Sequence, residues 1–240
     1  MSDFPNFADL RTLADELRKQ PEFARLSSRI DKALKTQSCL ADLREARACL
    51  SALEEMLPSP RKRNSETRHA TEAALIRSCV TLYERATNAA GKRKERGSIN
   101  IHENLSPDQL RDHQAIVSLR QRSIAHVYPG ESVNGAKWHD DRIFAVEMDK
   151  GWRAAAASHR IQFQEATYLT LKRQIPVAEQ IMYHKFQERM AELVASLNDT
   201  PVEQAAFLRH TFDPVSYFGS HEGVLTALEG QRTGTSSLFK

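Results

Sequence analysis

Apolar residues recur three and four positions apart in nearly every segment of this chain, and that spacing restricts the fold to one built mainly from helices. Leu26, Ile30 and Leu34, for example, would share one face of a helix. Ser106-Pro107 is a typical helix start, and Pro58 disfavours helix in the residue before it. The periodicity predicts helices over residues 7–17, 21–34, 38–57 (with Ser38 as N-cap), 68–87, 106–126 and 164–198, with a shorter helix from 200. Pro176 is expected to kink or break the longest of them.

The helical period changes once, between residues 142 and 163. Arg142–Met148 is short and rich in strand formers, Asp149-Lys150-Gly151 is a turn sequence, and a second extended segment follows from Trp152. The alanines at 154–157 leave a helix open as an alternative there. We therefore predict a mainly α fold, an antiparallel helical bundle with a small β-hairpin inserted before the last long helix.

The same patterns suggest three parts of the chain. Residues 1–34 would form an N-terminal helical arm, residues 35–200 the bundle, and residues 201–240 a C-terminal helix followed by a flexible tail rich in glycine, serine and threonine. Within the bundle, the proline-, serine- and arginine-containing stretch from Pro58 to about Thr67 is typical of an exposed linker.

The composition narrows the class of protein. With 40% hydrophobic and 27% charged residues it is an ordinary globular composition,. It contains no apolar run long enough to cross a membrane and no visible signal peptide, which favours the cytoplasm. The three cysteines lack the spacing of metal ligands and are interpreted as buried thiols. Because the sequence shows no cluster of metal-ligating residues, no metal or other cofactor is expected. Three histidine–acid pairs, at His102-Glu103, His139-Asp140 and His221-Glu222, are interpreted as surface residues.

Positive charge is concentrated in two places although the net charge is only +3. One cluster is Arg61-Lys62-Arg63, and the other is Lys92, Arg93, Lys94 and Arg96. Such runs are most often solvated loop charge, but they can also follow a phosphate backbone. The second cluster is the candidate RNA-binding segment.

The most informative stretch for chemistry is residues 119–128, Leu-Arg-Gln-Arg-Ser-Ile-Ala-His-Val-Tyr. Arg120 is permanently charged, and the paired N–H donors of its guanidinium group suit phosphate oxygens. His126 can exchange protons near neutral pH. Together they could cleave RNA without a metal. On an α-helix, however, a spacing of six residues separates the two side chains by about 120°. Arg122, four residues before His126, would share its face.

Two arrangements would remove this difficulty: the helix ends at His126, or the site is built by two protomers across a two-fold axis. We favour the homodimer. The alternative is a purely structural role, in which Arg120 and His126 stabilise the C-terminus of a helix.

The segment from Leu119 to His126 resembles the marker motif of the HEPN superfamily (higher eukaryotes and prokaryotes nucleotide-binding), in its abortive-infection and toxin-like branch. The helix containing residues 81–86 resembles that family's partner helix, and the hairpin and long helix after the motif are similar as well. The resemblance covers roughly residues 35–200.

The resemblance implies a metal-independent endoribonuclease, the toxin of a toxin–antitoxin or phage-defence system, with active sites at a dimer interface. It implies that Arg120 and His126 are the catalytic pair, and that Gln121 and Glu84 support them. His126-Val127-Tyr128 also resembles the His-x-Tyr ending of toxins paired with a nucleotidyltransferase antitoxin, which modifies that tyrosine. The alternative is a non-catalytic helical interaction or RNA-binding module, similar to an antitoxin or a sensor.

Overall fold

The computed structural model describes residues 6–58, 65–89, 91, 96–126, 132–149, 151–161 and 163–233. Within these ranges the helices are α1 (Leu10–Leu17), α2 (Ala24–Met56), α3 (Glu66–Thr87), α4 (Pro107–Leu119), α5 (Glu165–Asp199), α6 (Gln204–Arg209), α7 (Pro214–Phe218) and α8 (His221–Thr233). Strands β1 (His139–Met148) and β2 (Gly151–Arg160) precede α5. The predicted mainly α bundle with a hairpin before the last long helix is therefore confirmed.

Two helices continue through residues where the sequence suggested an interruption. Residues 24–56 form one helix, so Ser38 lies in its interior and caps nothing. No proline or glycine separates Leu34 from Leu40, and the polar residues between them are compatible with helix. Pro176 likewise lies inside the continuous helix α5, flanked by the buried residues Ile175 and Ala178. Burial of this helix face compensates for the one backbone hydrogen bond that proline cannot make.

The chain divides into two compact units, which differ from the three predicted parts. One unit comprises the described residues of Met1–Leu34 together with those of Met190–Lys240, and the other is Lys35–Arg189. The expected N-terminal arm and C-terminal segment thus belong to a single unit. Its core is formed by α1, the first part of α2, the last part of α5 and α6, with these buried residues: Leu13, Ala14, Leu17, Leu26, Ile30, Ala33, Leu193 and Ala206.

The unit of residues 35–189 contains the candidate site. Its core combines one face each of α2, α3, α4 and α5, with Tyr83 and Leu119 among the fully buried side chains. Helix α4 begins as predicted: the Ser106 hydroxyl accepts from the backbone N–H of Gln109, and the Gln109 side chain accepts from the N–H of Ser106. This reciprocal cap satisfies two backbone donors at the start of the helix that leads to the motif.

The hairpin is antiparallel, with Ile143 opposite Ala156 and Met148 opposite Gly151. The alanines at 154–157 are therefore strand and not helix, and β2 ends at Arg160. Trp138, just before β1, is buried in the core, whereas Trp152 is exposed. No helix in the described ranges is both long and apolar enough to cross a membrane.

Candidate functional site

The motif helix changes its winding at Arg120. Helix α4 is regular from Pro107 to Leu119, and Arg120–Ile124 then form a π turn in which the N–H of Ala125 donates to the carbonyl of Arg120 over 2.8 Å. The sequence predicted an α-helix as far as His126. A π turn pairs backbone groups five residues apart, and the chain bends at Ala125 and His126. The separation of about 120° calculated for a continuous α-helix therefore does not apply.

A histidine from the hairpin supports the π turn. Ser123 is buried in the turn, and its carbonyl accepts a hydrogen bond of 2.6 Å from Nε2 of His139, the first residue of β1. Carbonyls in the last turn of a helix have no partner within that helix, so His139 supplies one from outside. The interpretation of His139 as a surface residue is therefore wrong, because its partner is distant in sequence and invisible to a local pattern.

Arg120 is oriented by a buried carboxylate. Its Nε lies 3.4 Å from Oε2 of Glu84 on α3, and Oε1 of Glu84 accepts from Nδ2 of Asn88 over 3.4 Å. The Glu84 side chain is 5% exposed and that of Arg120 is 35% exposed. A buried carboxylate is stable only when it is paired, so Glu84 draws the guanidinium toward the core while part of the arginine stays at the surface.

The other described residues of the motif that were predicted to form the site lie at the surface. Gln121, Arg122 and His126 are exposed, and His126 comes two residues after the π turn ends at Ile124. Tyr128 lies outside the described residues. Of the residues predicted from the sequence, the structure thus brings Glu84 and Arg120 into direct contact and places His126 about one π turn beyond Arg120.

Of the predicted RNA-binding cluster, Arg96 lies within the described residues. Lys92, Arg93 and Lys94 lie outside the described residues. The Arg96 guanidinium donates to Asp42 over 2.6 Å, to Ser38 Oγ over 2.8 Å and to the carbonyl of Arg85 over 3.0 Å. These internal bonds tie Arg96 to α2 and α3.

A buried polar chain next to Glu84 was not predicted from the sequence. The side-chain amide of Gln174 donates to the Tyr83 hydroxyl over 3.0 Å, and that hydroxyl lies 2.8 Å from Nδ1 of His113. Nε2 of His113 lies 2.8 Å from Nε2 of the exposed His102. His113 is on the buried stripe of α4, three residues before Ile116, and this position is the signal that could have revealed it.

Burial keeps the side chains of Tyr83 and His113 uncharged at neutral pH. Desolvation, with a smaller effect of His102, lowers the pKa of His113 to about 4, and desolvation also raises the pKa of Tyr83. The direction of the two histidine bonds depends on the tautomer of His113: with a proton on Nε2, Tyr83 donates to Nδ1 and Nε2–H donates to His102, and with a proton on Nδ1 both bonds are reversed,. The bonds among Gln174, Tyr83 and His113 join α5, α3 and α4.

Other reactive groups are few in the described part of the chain. No cluster of three or more histidine, cysteine, aspartate or glutamate side chains there could hold a metal ion. Cys39 and Cys79 are buried, and desolvation raises the pKa of both thiols, that of Cys79 to about 12. Such thiols are poor nucleophiles because the reactive species is the thiolate.

Comparison of the chain with protein-family models, with curated proteins and with solved structures gave no match. The chemistry of the site is therefore argued from the residues of this chain.

The depressed pKa of His113 predicts a stability that falls in mild acid. Below about pH 6.5 the unfolded chain binds a proton at this histidine, whereas the folded chain does so only near pH 4,. Between these values the free energy of unfolding should fall by up to about 3 kcal/mol, since one pKa unit corresponds to about 1.4 kcal/mol. Urea unfolding curves across this pH range measure the loss.

The substitution His113→Gln keeps a hydrogen-bonding side chain but cannot titrate, so it should remove most of this pH dependence. The exposed His184, replaced by glutamine, is the matched control and should retain the wild-type slope. An unchanged slope in His113→Gln would show that other groups cause the acid sensitivity.

Proposed function

We propose that this protein is a metal-independent endoribonuclease of the HEPN type. The observation that carries the proposal is the position of Arg120, paired with the buried Glu84 at a π turn and followed one turn later by the exposed His126. π turns within helices are rare and occur frequently at functional sites. The arrangement offers a fixed cation and a titratable group at the same end of α4.

The chemistry follows from the two side chains. The 2′-hydroxyl of RNA attacks the adjacent phosphorus, the bond to the 5′-oxygen breaks, and a 2′,3′-cyclic phosphate remains. Arg120 would stabilise the charge that develops on the phosphate oxygens. A base must take the proton of the 2′-hydroxyl, and an acid must protonate the leaving 5′-oxygen.

One protomer contributes a single histidine, His126, to this motif, and the reaction needs both a base and an acid. A homodimer in which two motifs meet at a two-fold axis would supply a second copy of His126 and a second Arg120. The dimer is therefore part of the proposal. Gln121 and Arg122, which are exposed beside Arg120, would contact the RNA backbone.

The biological role proposed with this activity is that of a cytoplasmic toxin in a toxin–antitoxin or phage-defence system. It is supported by the resemblance of residues 119–126 to the HEPN motif. A nucleotidyltransferase antitoxin acting on Tyr128, or another antitoxin protein, is the partner that this resemblance suggests.

A second candidate function is a non-catalytic helical interaction or RNA-binding module, similar to an antitoxin or a sensor. The observation that favours it is the hairpin, which exposes large apolar side chains such as Ile143 and Trp152. Cleavage of RNA separates the two candidates, because a binding module does not need the Arg120–His126 pair.

The direct test is incubation of the purified protein with total RNA in the presence of a chelator. The wild-type protein should cleave, leaving 2′,3′-cyclic phosphate ends. The substitution Arg120→Ala should slow cleavage by a factor of about 100 or more, by analogy with the loss of one transition-state donor. His126→Ala should be at least as slow, since proton transfer typically contributes a factor of about 100 or more.

Two matched controls share the chemistry of the tested residues but lie elsewhere. Arg111 is exposed on α4 and His184 is exposed on α5, and their alanine variants should cleave at the wild-type rate. Full activity of Arg120→Ala would refute the assignment of that residue. If Arg122→Ala alone abolished cleavage, the phosphate-binding role would move to Arg122.

A second prediction concerns expression in a host cell. Because the proposed toxin cleaves cellular RNA, production of the wild-type protein should arrest growth, and production of His126→Ala should not. Growth curves after induction, with soluble protein matched by immunoblot, measure this difference. Equal growth of both cultures would count against a toxin and favour the interaction module.

A further inference from the structure

The middle of the motif is anchored from outside its helix. Ser123 lies three residues after Arg120 and three residues before His126. Ser123 is 6% exposed, whereas Arg122 and His126 are exposed. The Ser123 carbonyl accepts the bond of 2.6 Å from Nε2 of His139. This bond therefore fixes the part of the π turn that lies between the two proposed catalytic side chains.

The bond to Ser123 fixes the tautomer of His139. A carbonyl oxygen can only accept a hydrogen bond, so Nε2 of His139 carries the proton. Nδ1 of the same ring is buried, and no group among the described residues bonds to it. With one nitrogen on a carbonyl and the other enclosed, neither is open to an RNA substrate. His139 is therefore not the second acid or base that cleavage requires, and its contribution lies in its contact with the turn.

His139 is itself held in place by the segment that precedes β1. The neighbouring Trp138 is buried in the core, and its Nε1 donates to the carbonyl of Val133 over 3.3 Å. Val133 and Ala136 exchange two backbone hydrogen bonds of 2.9 and 3.2 Å, and the carbonyl of Trp138 accepts from the N–H of Ile161 over 3.2 Å. The imidazole of His139 therefore projects from a backbone that is bonded on both sides.

The same segment also bonds to α4 ahead of the motif. Asn134 and Gly135 form its tight turn with φ angles of 52° and 76°. Asparagine and glycine are the residues that adopt positive φ most readily. Nδ2 of Asn134 donates to the carbonyl of Ala115 over 3.1 Å. Residues 133–139 therefore bond to the motif helix on both sides of Arg120.

We propose that His139 is a positioning residue for RNA cleavage. Through the Ser123 carbonyl it sets the place of His126 relative to Arg120. The inference rests on the proposed function, because it concerns the same two side chains. Arg120 is held separately by Glu84 on α3, whereas His126 lies beyond the turn that His139 supports. Loss of the bond would therefore leave the cation in place and displace the histidine.

Displacement of His126 acts on the chemical step more than on RNA binding. Proton transfer requires the histidine to lie within hydrogen-bond reach of the reacting oxygen, and a misplacement of about 1 Å can slow a reaction by about 100-fold. Arg120, which would bind the phosphate, keeps its partner Glu84. A positioning role therefore predicts a lower kcat with little change in KM, whereas a role in RNA binding predicts a higher KM.

Two substitutions of His139 separate the hydrogen bond from the bulk of the ring. The amide nitrogen of glutamine takes nearly the place of Nε2, so His139→Gln keeps a donor to Ser123, whereas His139→Leu removes it. The substrate is a synthetic RNA that contains a site cleaved by the wild-type protein in total RNA. The kcat of His139→Leu should fall by about tenfold or more while KM stays within about twofold. His139→Gln should keep kcat within about threefold of the wild type.

Hydrogen exchange measures the turn itself, independently of cleavage. The Ala125 N–H donates to the Arg120 carbonyl and closes the π turn. By NMR, exchange of this amide should be about two- to tenfold faster in His139→Leu than in the wild type, the range expected for loss of one hydrogen bond. The Gln109 N–H, which Ser106 caps at the other end of α4, is the internal control and should exchange at the wild-type rate.

The exposed His159 on β2 is the matched control, and His159→Leu should keep the wild-type kcat. Urea unfolding curves check that every variant is folded in the cleavage assay. A wild-type kcat in His139→Leu would overturn the proposal, and so would a His139→Gln variant as slow as His139→Leu. A wild-type protein that does not cleave RNA would refute the proposed function and, with it, the role of His139 in cleavage. The exchange of the Ala125 amide would then still decide whether His139 holds the π turn.

Discussion

The ion pair between Glu84 and Arg120 is the interaction on which the candidate site depends. An unpaired carboxylate buried on α3 would be strongly destabilising, and removal of one partner from a buried pair typically costs about 3–5 kcal/mol. Oε2 of Glu84 faces Nε of Arg120, and Asn88 binds its other oxygen. The pair therefore fixes the end of α4 against α3 and holds a cation at the surface of the bundle.

Two further sets of hydrogen bonds hold the helices and the π turn of this unit in place. The neutral chain of Gln174, Tyr83 and His113 joins three helices through buried hydrogen bonds. The π turn is supported by the bond from His139 to Ser123, so the hairpin holds the turn that follows Arg120. Because these contacts come from separate elements, the position of Arg120 is determined by the tertiary fold and not by helix periodicity alone.

Features that depend on local sequence could be predicted, and features that depend on distant partners could not. The Ser106 capping box and the strand propensity of Arg142–Met148 are local signals, and both led to correct predictions. The π turn, in contrast, has an ordinary helical sequence, and its supporting histidine lies 16 residues away. The sequence pattern assigns Arg96 to the candidate RNA-binding segment and does not show that Asp42 is its partner in the fold.

The resemblance of one short motif pointed to Arg120, His126 and Glu84, and the structure adds the contact between Glu84 and Arg120. Continuous helix through Ser38 and Pro176 shows the opposite case, in which burial of a long apolar stripe overrides a local capping or breaking signal. The sequence could therefore nominate site residues by type and spacing, but their orientation depends on tertiary packing.

The central claim is that Glu84 and Arg120 act as one unit in RNA cleavage, and a double-mutant cycle tests it most directly. Cleavage rates would be measured for the wild-type protein, Glu84→Gln, Arg120→Gln and the double variant, with urea unfolding curves as a check on folding. The account predicts that the double variant is no slower than Arg120→Gln, because loss of either partner disrupts the same group. Independent effects of the two substitutions, or a wild-type protein that does not cleave RNA, would contradict it.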